Sequence, residues 1–494
     1  MTIGEHKKLV WSISLMIILV FSTISLGFGL QSSKGISAYG TISYWPRVDV
    51  TVNAKKIIGI NNLSLGFQLD FEWKRWRDNA VRRQLAADAG FKLVRIFDWR
   101  SQSGASPDPC LYWNETAKTG VFDWTDLDLL VSRIFEIGAE PLITLGGYDM
   151  QPKYLPTGMA TNPVTGLPYP ESWAAYCRTW VKHFKDVGLP VRFYEIVNEA
   201  WHYWYSNWVY NETRLRYFLE LFNSAYIQMH EENPDVLISN DAATYRKFVD
   251  FWLKNGGKLD YISFHKYDCD GMHMEDSIPL SRAETRHFVS DAIWYGVNDV
   301  RKLWLNAYGV YLPAINSESN FAAICKEGTD PRIQKTVGAV WTALMLKSCI
   351  LNNVQYTIYY SFGSSASYEQ TRPSGGLGFG MINLDNNMPW YPYYVQKLIG
   401  NNLAIGDQLV ETLSSSDDIS ALAWLHDEVL NILIISKVDQ PKNIFLQGVS
   451  GEMKFAKIDD TVSYLSPSLQ IGKITPVEPL SVTGYAVALV QIVS

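Results

Sequence analysis

The feature that most constrains this chain is a rhythm. From about residue 57 onwards a short apolar strand pattern, a loop and a longer amphipathic helix pattern succeed one another eight times. The strand patterns fall at 57–66, 92–97, 140–146, 191–198, 236–241, 261–267, 314–318 and 354–361, and the helix patterns near 78–89, 124–137, 171–186, 213–231, 245–255, 283–306, 332–350 and 390–400. Strands that alternate with helices form a parallel sheet with helical crossovers. Eight such units over about 350 residues predict an α/β fold, a (β/α)8 TIM barrel with enlarged loops. Alternation within the sixth strand agrees: Tyr261, Ser263, His265 and Tyr267 share the face expected to line the barrel, while Ile262 and Phe264 share the face expected to pack on helices.

After Gly400 the helical period stops and short β patterns take over at 419–425, 429–437, 443–446 and 485–492, separated by Gly, Pro, Ser and Asp turn signals. They predict an accessory β-sandwich, to which the segment 40–52 adds a strand. The expected organisation is a signal peptide or membrane anchor at 1–30, a linker and sandwich strand at 31–52, a catalytic barrel at 53–402 and a β-sandwich at 403–494.

Lys7 and Lys8 precede an uncharged apolar run from Leu9 to Leu30, long enough for the roughly 20 residues that a bilayer crossing takes. The run exceeds the ~7–15 residues of a signal-peptide core, so the reading leans towards an uncleaved anchor that holds an extracellular or cell-surface body at the membrane. Sequons at Asn62, Asn114 and Asn211 fit an exported chain. A net charge of −7 without long charge runs, beside 47% hydrophobic residues, argues against a disordered chain and against a nucleic-acid partner.

Cys110, Cys177, Cys269, Cys325 and Cys349 show no CxxC or Cys/His spacing, and no His-x-His ends the first strand, so neither a zinc site nor any other metal or cofactor is expected. Cys110, Cys269 and Cys325 fall in predicted loops on one face, where one disulfide among them is possible. Asp268, Asp270, His273, Glu275 and Asp276 read as a solvated acidic loop, with a calcium-binding loop as the alternative.

In a barrel of this kind chemistry sits at the C-terminal ends of the strands. The fourth strand ends in Asn198-Glu199 and the seventh in Ser317-Glu318. One strand-end glutamate is ordinarily a solvated loop residue or an ion-pair partner; two on strands that face each other across the mouth are a different matter. A carboxyl pair separated by about 5–5.5 Å suits double displacement at a glycosidic carbon, one group attacking while the other protonates the departing oxygen. Glu318 is expected to be kept ionised by Arg95 on the second strand and by Tyr267 on the sixth. Glu195, one step deeper than Glu199, is expected to form a structural ion pair with Arg95 or Lys92.

Three runs carry a resemblance: Phe193-Tyr194-Glu195-Ile196-Val197-Asn198-Glu199, Tyr261-Ile262-Ser263-Phe264-His265-Lys266-Tyr267, and Gly375-Gly376-Leu377-Gly378-Phe379-Gly380. Together with Glu318 they resemble clan A of the glycoside hydrolases, and within it family 39, the β-xylosidase and α-L-iduronidase family with its endo-acting relatives. The resemblance implies retaining hydrolysis of oligo- or polysaccharides, with Glu199 as acid/base, Glu318 as nucleophile, Asn198 as hydrogen bonder to the sugar 2-hydroxyl, and Arg95, His265 and Tyr267 as supporting groups. The chain departs from the pattern at Ala200, where a Pro usually stands, at Phe97, where a His is common, and at Tyr359-Tyr360-Ser361-Phe362, where a Trp usually ends the eighth strand.

Aromatic residues make up 14% of the chain, and flat rings are natural platforms for sugar faces. Trp201, His202, Tyr203, Trp204, Tyr205 and Trp208 crowd the loop after Glu199, and Trp113, Tyr148 and Tyr360 stand on other segments of the expected mouth. Trp201, Trp204, Trp113, Tyr148 and Tyr360 are the candidate sugar contacts. Two other readings use the same barrel: a glycan-binding or envelope protein that does not cleave, and a transglycosylase that excludes water.

Overall fold

The computed structural model describes residues 45–97, 109–146, 155–199, 205–206, 209–323, 328–369, 371 and 374–493. Eight strands, Ser64–Gln68, Leu93–Phe97, Glu140–Leu145, Phe193–Ile196, Leu237–Ser239, Ile262–Cys269, Ala314–Ala322 and Tyr356–Tyr359, pair in parallel in the spatial order five-four-three-two-one-eight-seven-six. Between the fifth and sixth strands Asp260 N donates to Ile238 O at 2.9 Å and Ala243 N to Ser263 O at 3.2 Å, so the sheet closes. The result is the (β/α)8 TIM barrel that the rhythm predicts.

Alternation sorts the side chains. Leu93, Leu142, Phe193, Tyr261, Ile315 and Ile358 point inwards and plug the floor of the barrel. Each contributes roughly 1.5–3 kcal/mol by leaving water. One step nearer the mouth, Gln68, Arg95, Thr144, Glu195, Ser263 and Ser317 form a buried polar layer. Ile262 and Phe264 face the other way, into the core shared with the helices. The apolar floor therefore carries a polar layer, and that layer supports the site.

Two helices start where an Asn side chain satisfies a first-turn N–H group. Asn79 caps 80–88 by accepting from Arg82 N at 3.2 Å, and Asn211 caps Glu212–Glu232 by accepting from Arg214 N at 3.1 Å. The single helix expected over 283–306 is two, Ser277–Thr285 and Val297–Tyr308. The break is built locally: Asp291 Oδ1 accepts from the N–H groups of Ile293 and Trp294, both at 2.7 Å, and a Cβ on Gly296 would meet Phe288 O at 2.6 Å. Helix Thr336–Leu351 is buried on almost every face, which its unbroken apolar sequence requires. It packs against the accessory sheet.

That accessory sheet has nine strands: Gln470–Ile474, Met453–Ile458, Ala486–Val493, Val429–Ser436, Ile419–His426, Gln408–Ser414, Arg47–Ile60, Lys442–Gln447 and Leu480–Val482, in spatial order. Pairing is antiparallel except between Arg47–Ile60 and Lys442–Gln447. Val48, Val50, Ile432, Ile434, Ile444, Val490 and Ile492 close a separate core on one face. Leu433, Ile435, Val487 and Leu489 alternate with them and join the core of the barrel. The strand added from the N-terminal side runs further than expected: Ile57–Ile60 belong to it, and the first barrel strand begins at Ser64.

The apolar run 9–30 lies outside the described residues. Among the described residues no helix is long and apolar enough to cross a membrane. Cys325 is also outside them. Cys110 is buried at the start of a strand, Cys110–Asn114, rather than in a loop, and Cys269 is a free thiol that donates to Gly271 O at 3.2 Å.

Candidate active site

Two interruptions of regular β-structure aim the functional groups. At the end of the fourth strand Val197 and Glu199 adopt φ values of 72° and 49°, left-handed conformations that cost a β-branched or other non-glycine residue energy. Val197 N still reaches Leu145 O at 2.6 Å, and Ile196 and Val197 both pack into the core shared with the helices. Asn198 and Glu199 consequently both turn to the mouth.

The seventh strand carries a β-bulge. Phe264 and His265 pair with Asn316 and Glu318, and Thr357 and Tyr359 pair with Asn316 and Ser319, so one residue of the seventh strand is extra against both neighbours. Strict alternation from Ile315 through Ser317 would point Glu318 out at the helices. With the bulge, Ser317 and Glu318 both face in: Ser317 Oγ lies 2.7 Å from Ser263 Oγ, and Arg95 reaches Glu318 at 2.7 Å.

Arg95 is the hub. Fully buried, it donates from Nε to Glu195 Oε2 at 2.8 Å, from Nη1 to Gln68 Oε1 at 2.9 Å and Glu318 Oε2 at 2.7 Å, and from Nη2 to Asn198 Oδ1 at 2.9 Å. Glu195 also accepts from Thr144 Oγ1 at 3.1 Å and from Ser263 Oγ. Burial alone would raise the Glu195 carboxyl, but the charges of Arg95 and His265 together with hydrogen bonds from Ser263 and Ser317 outweigh it and the group sits below its ordinary range. This is the structural ion pair expected of Glu195. The second oxygen of Glu318 accepts from Tyr267 OH, whose proton is held far more tightly than usual by burial and by the Glu318 charge.

Across the mouth, one carboxylate oxygen of Glu199, one of Glu318 and a ring nitrogen of His265 all lie within 4.8 Å of one another. His265 Nδ1 is 3.5 Å from Glu199 Oε1, and Nε2 is 3.3 Å from Asp241 Oδ2. Burial opposes charge on this ring, yet Glu318, Asp241 and the bond to Glu199 together lift it to about 9, so it carries a proton at neutral pH. Among the described residues these three are the ones whose donor atoms come close enough to hold an ion, which would have to displace the imidazole proton.

The arrangement unites Glu199, Glu318, Asn198, Arg95, His265 and Tyr267, six residues drawn from strand ends far apart in sequence. Tyr360, beyond the end of the eighth strand, donates to Asp70 Oδ2 at 3.0 Å and sits beside Phe379, with ring centroids 5.2 Å apart. Trp113 corrects the expectation of a sugar platform: it is fully buried, its Nε1 donates to Ser172 Oγ at 2.8 Å, and its ring meets Tyr176 edge-on. The hairpin that carries it presses this apolar side onto helix Pro170–Asp186, so no ring face is left for a ligand. Trp201, Trp204 and Tyr148 lie outside the described residues.

Asp241 and Asp70 escaped the sequence reading. Asp241 had a signal, since Asn240-Asp241 ends the fifth strand as Asn198-Glu199 ends the fourth. The acidic stretch is largely neutralised by basic side chains: Asp268 by Lys266 at 3.0 Å, Asp270 by Arg282 at 2.5 Å and Asp276 by Arg332 at 2.7 Å.

No protein-family model matches the chain, and no curated protein matches its sequence. Solved structures do match. A GH39 β-xylosidase from Caulobacter crescentus is 15% identical, with 91% of this chain and 100% of that one covered and a TM-score of 0.57. An α-L-arabinofuranosidase from Thermotoga maritima is 13% identical, with 90% and 99% covered and a TM-score of 0.59. A GH30 endoxylanase from Clostridium papyrosolvens C71 is 12% identical, with 90% and 100% covered and a TM-score of 0.54. The structural neighbours are thus family 39 xylosidases and related clan A glycoside hydrolases, the group that the strand-end motifs resemble. At this identity the likeness is one of fold, and it spans barrel and accessory sheet together.

Proposed function

We propose that this chain is a retaining glycoside hydrolase that cleaves O-glycosidic bonds of oligo- or polysaccharides outside the cell or at its surface. The observation that carries the reading is the approach of Glu199 and Glu318 to within 4.8 Å at the ends of strands four and seven, inside a barrel whose neighbours cleave glycosides. So close an approach of one oxygen from each carboxyl supports double displacement, in which the two groups work on opposite sides of one bond.

Both oxygens of Glu318 accept hydrogen bonds, from Arg95 and Tyr267, which presents the group as a carboxylate ready to attack. Attack by a Glu318 oxygen on the anomeric carbon forms an ester bond while the glycosidic C–O bond breaks, its electron pair leaving with the oxygen that Glu199 protonates. Glu199, now a base, takes a proton from water, whose oxygen attacks the same carbon and releases Glu318. Asn198 Oδ1 is tied to Arg95, which leaves its Nδ2 to donate to the sugar 2-hydroxyl.

The full chain is to be screened against α- and β-linked glycans, beginning with xylosides and arabinosides, and the first-formed anomer read by proton NMR. Retention of configuration is expected. Glu318→Ala should abolish turnover while glycan binding persists. An inverted product overturns the mechanism, and a wild-type chain that binds glycans without cleaving any places the protein among glycan-binding barrels.

A further inference from the structure

We infer that Asp241, at the end of the fifth strand, is a positioning residue for proton transfer by Glu199, gripping the Glu199 main chain in its left-handed turn while anchoring the far side of the His265 ring. The inference rests on the reading of Glu199 as acid/base. Its basis is that one oxygen, Asp241 Oδ2, accepts from Glu199 N and lies 3.3 Å from His265 Nε2, while His265 Nδ1 lies 3.5 Å from Glu199 Oε1. Glu199 is thus held at both ends by the same small ring of groups, its backbone by Asp241 directly and its carboxyl through the imidazole.

Accepting one N–H does not need a charge. A neutral Asn or Ser at this buried site would do that without the desolvation penalty of a carboxylate. The charge is explained by the cation beside it. The Nε2–Oδ2 contact lies off the line of a hydrogen bond, so charge rather than a directed bond joins the two groups. Burial pushes Asp241 up to about 6, and His265 stands at about 9, so at neutral pH a carboxylate faces an imidazolium. The other charged or titratable groups around the ring are Glu199 and Glu195 of the fourth strand, Glu318 of the seventh, Arg95 of the second and, on the outer side, His287. Of the carboxylates facing His265 among the described residues, Asp241 is the one that accepts from the backbone N–H of Glu199.

The test uses full-length Asp241→Ala and Asp241→Asn beside Glu199→Ala, with two glycosides of whichever sugar the glycan screen identifies. One carries 2,4-dinitrophenolate, which departs without a proton, and the other an alkoxide, which does not. Asp241→Ala is expected to lower kcat/KM on the alkyl glycoside by about tenfold or more, a share of the ~10²–10⁴ that positioned proton transfer supplies, and to change the dinitrophenyl value by less than about threefold. Equal losses on both substrates, with Glu199→Ala still selective, overturn the inference and leave Asp241 a structural residue. A Glu199→Ala chain without selectivity overturns the acid/base reading itself. A measurement that needs no substrate accompanies these: by NMR the His265 ring should stay protonated to about pH 8 or beyond in the wild type and titrate at least about one pH unit lower in Asp241→Asn. An unchanged midpoint refutes the coupling.

Discussion

Arg95 Nη1 donates to Glu318 Oε2 at 2.7 Å from a position with no solvent exposure. The same guanidinium holds Glu195, Gln68 and Asn198. A buried cation that serves two carboxylates ties stability and reactivity together, because the group that balances the interior charge also aims the oxygen at the mouth.

Arg95→Met should therefore strand Glu195 and Glu318 and cost about 3–5 kcal/mol, read by chemical denaturation. Arg95→Lys keeps the charge but loses the planar fork, and kcat/KM should fall roughly 10²-fold. Adding Glu195→Gln to Arg95→Met should restore part of the stability and none of the activity. Recovery of turnover in that double variant would show that Arg95 does not orient Glu318.

Trp113→Ala separates packing from recognition. Removal of this buried ring should destabilise the chain by about 3–5 kcal/mol and leave KM for any cleaved glycan unchanged at temperatures where the variant is folded. A raised KM with unchanged stability would reinstate Trp113 as a sugar contact.

Thermal stability should decline as pH rises. Burial lifts Glu72 to about 8 and Asp70 to about 7, so between roughly pH 4 and those values the folded chain binds protons that the unfolded chain has released, and deprotonation costs stability. His265, at about 9, acts in the same direction: its contribution is complete below the unfolded value near 6.5 and lost as pH passes 9. Differential scanning calorimetry from pH 5 to pH 9 should show a falling Tm, and Glu72→Gln should flatten the portion up to about pH 8. A Tm that rises over this range contradicts the protonated state of both carboxyls.

The barrel was legible because its hydrophobic period and turn residues repeat eight times, and the polar interior of the sixth strand followed from alternation at Ser263, His265 and Tyr267. Glu195 was legible as an ion-pair partner of Arg95 for the same reason. The break after Thr285 was not, because Phe288, Val289 and Ile293 keep an apolar period while Asp291 and Gly296 bend the backbone. Trp113 was misplaced because a ring on a hairpin near the mouth looks the same in sequence whether it faces ligand or helix. The left-handed turn at Val197 and the extra residue near Ser317 leave no mark in residue type, since both are offsets in a hydrogen-bond ladder that only the neighbouring strands define.

That offset in the seventh strand makes the aim of Glu318 a matter of counting rather than of composition. Loss of the single codon for Ser317 would remove the extra residue and restore unbroken alternation, with Ile315 in, Asn316 out and Glu318 in the inward place that Ser317 holds. The strand is thus one residue longer than the inward aim of the carboxylate requires, and such a deletion should give a folded chain that still cuts glycans. A deletion variant that folds and binds glycans but no longer cleaves them would show that the bulge places Glu318 in a way that parity alone does not.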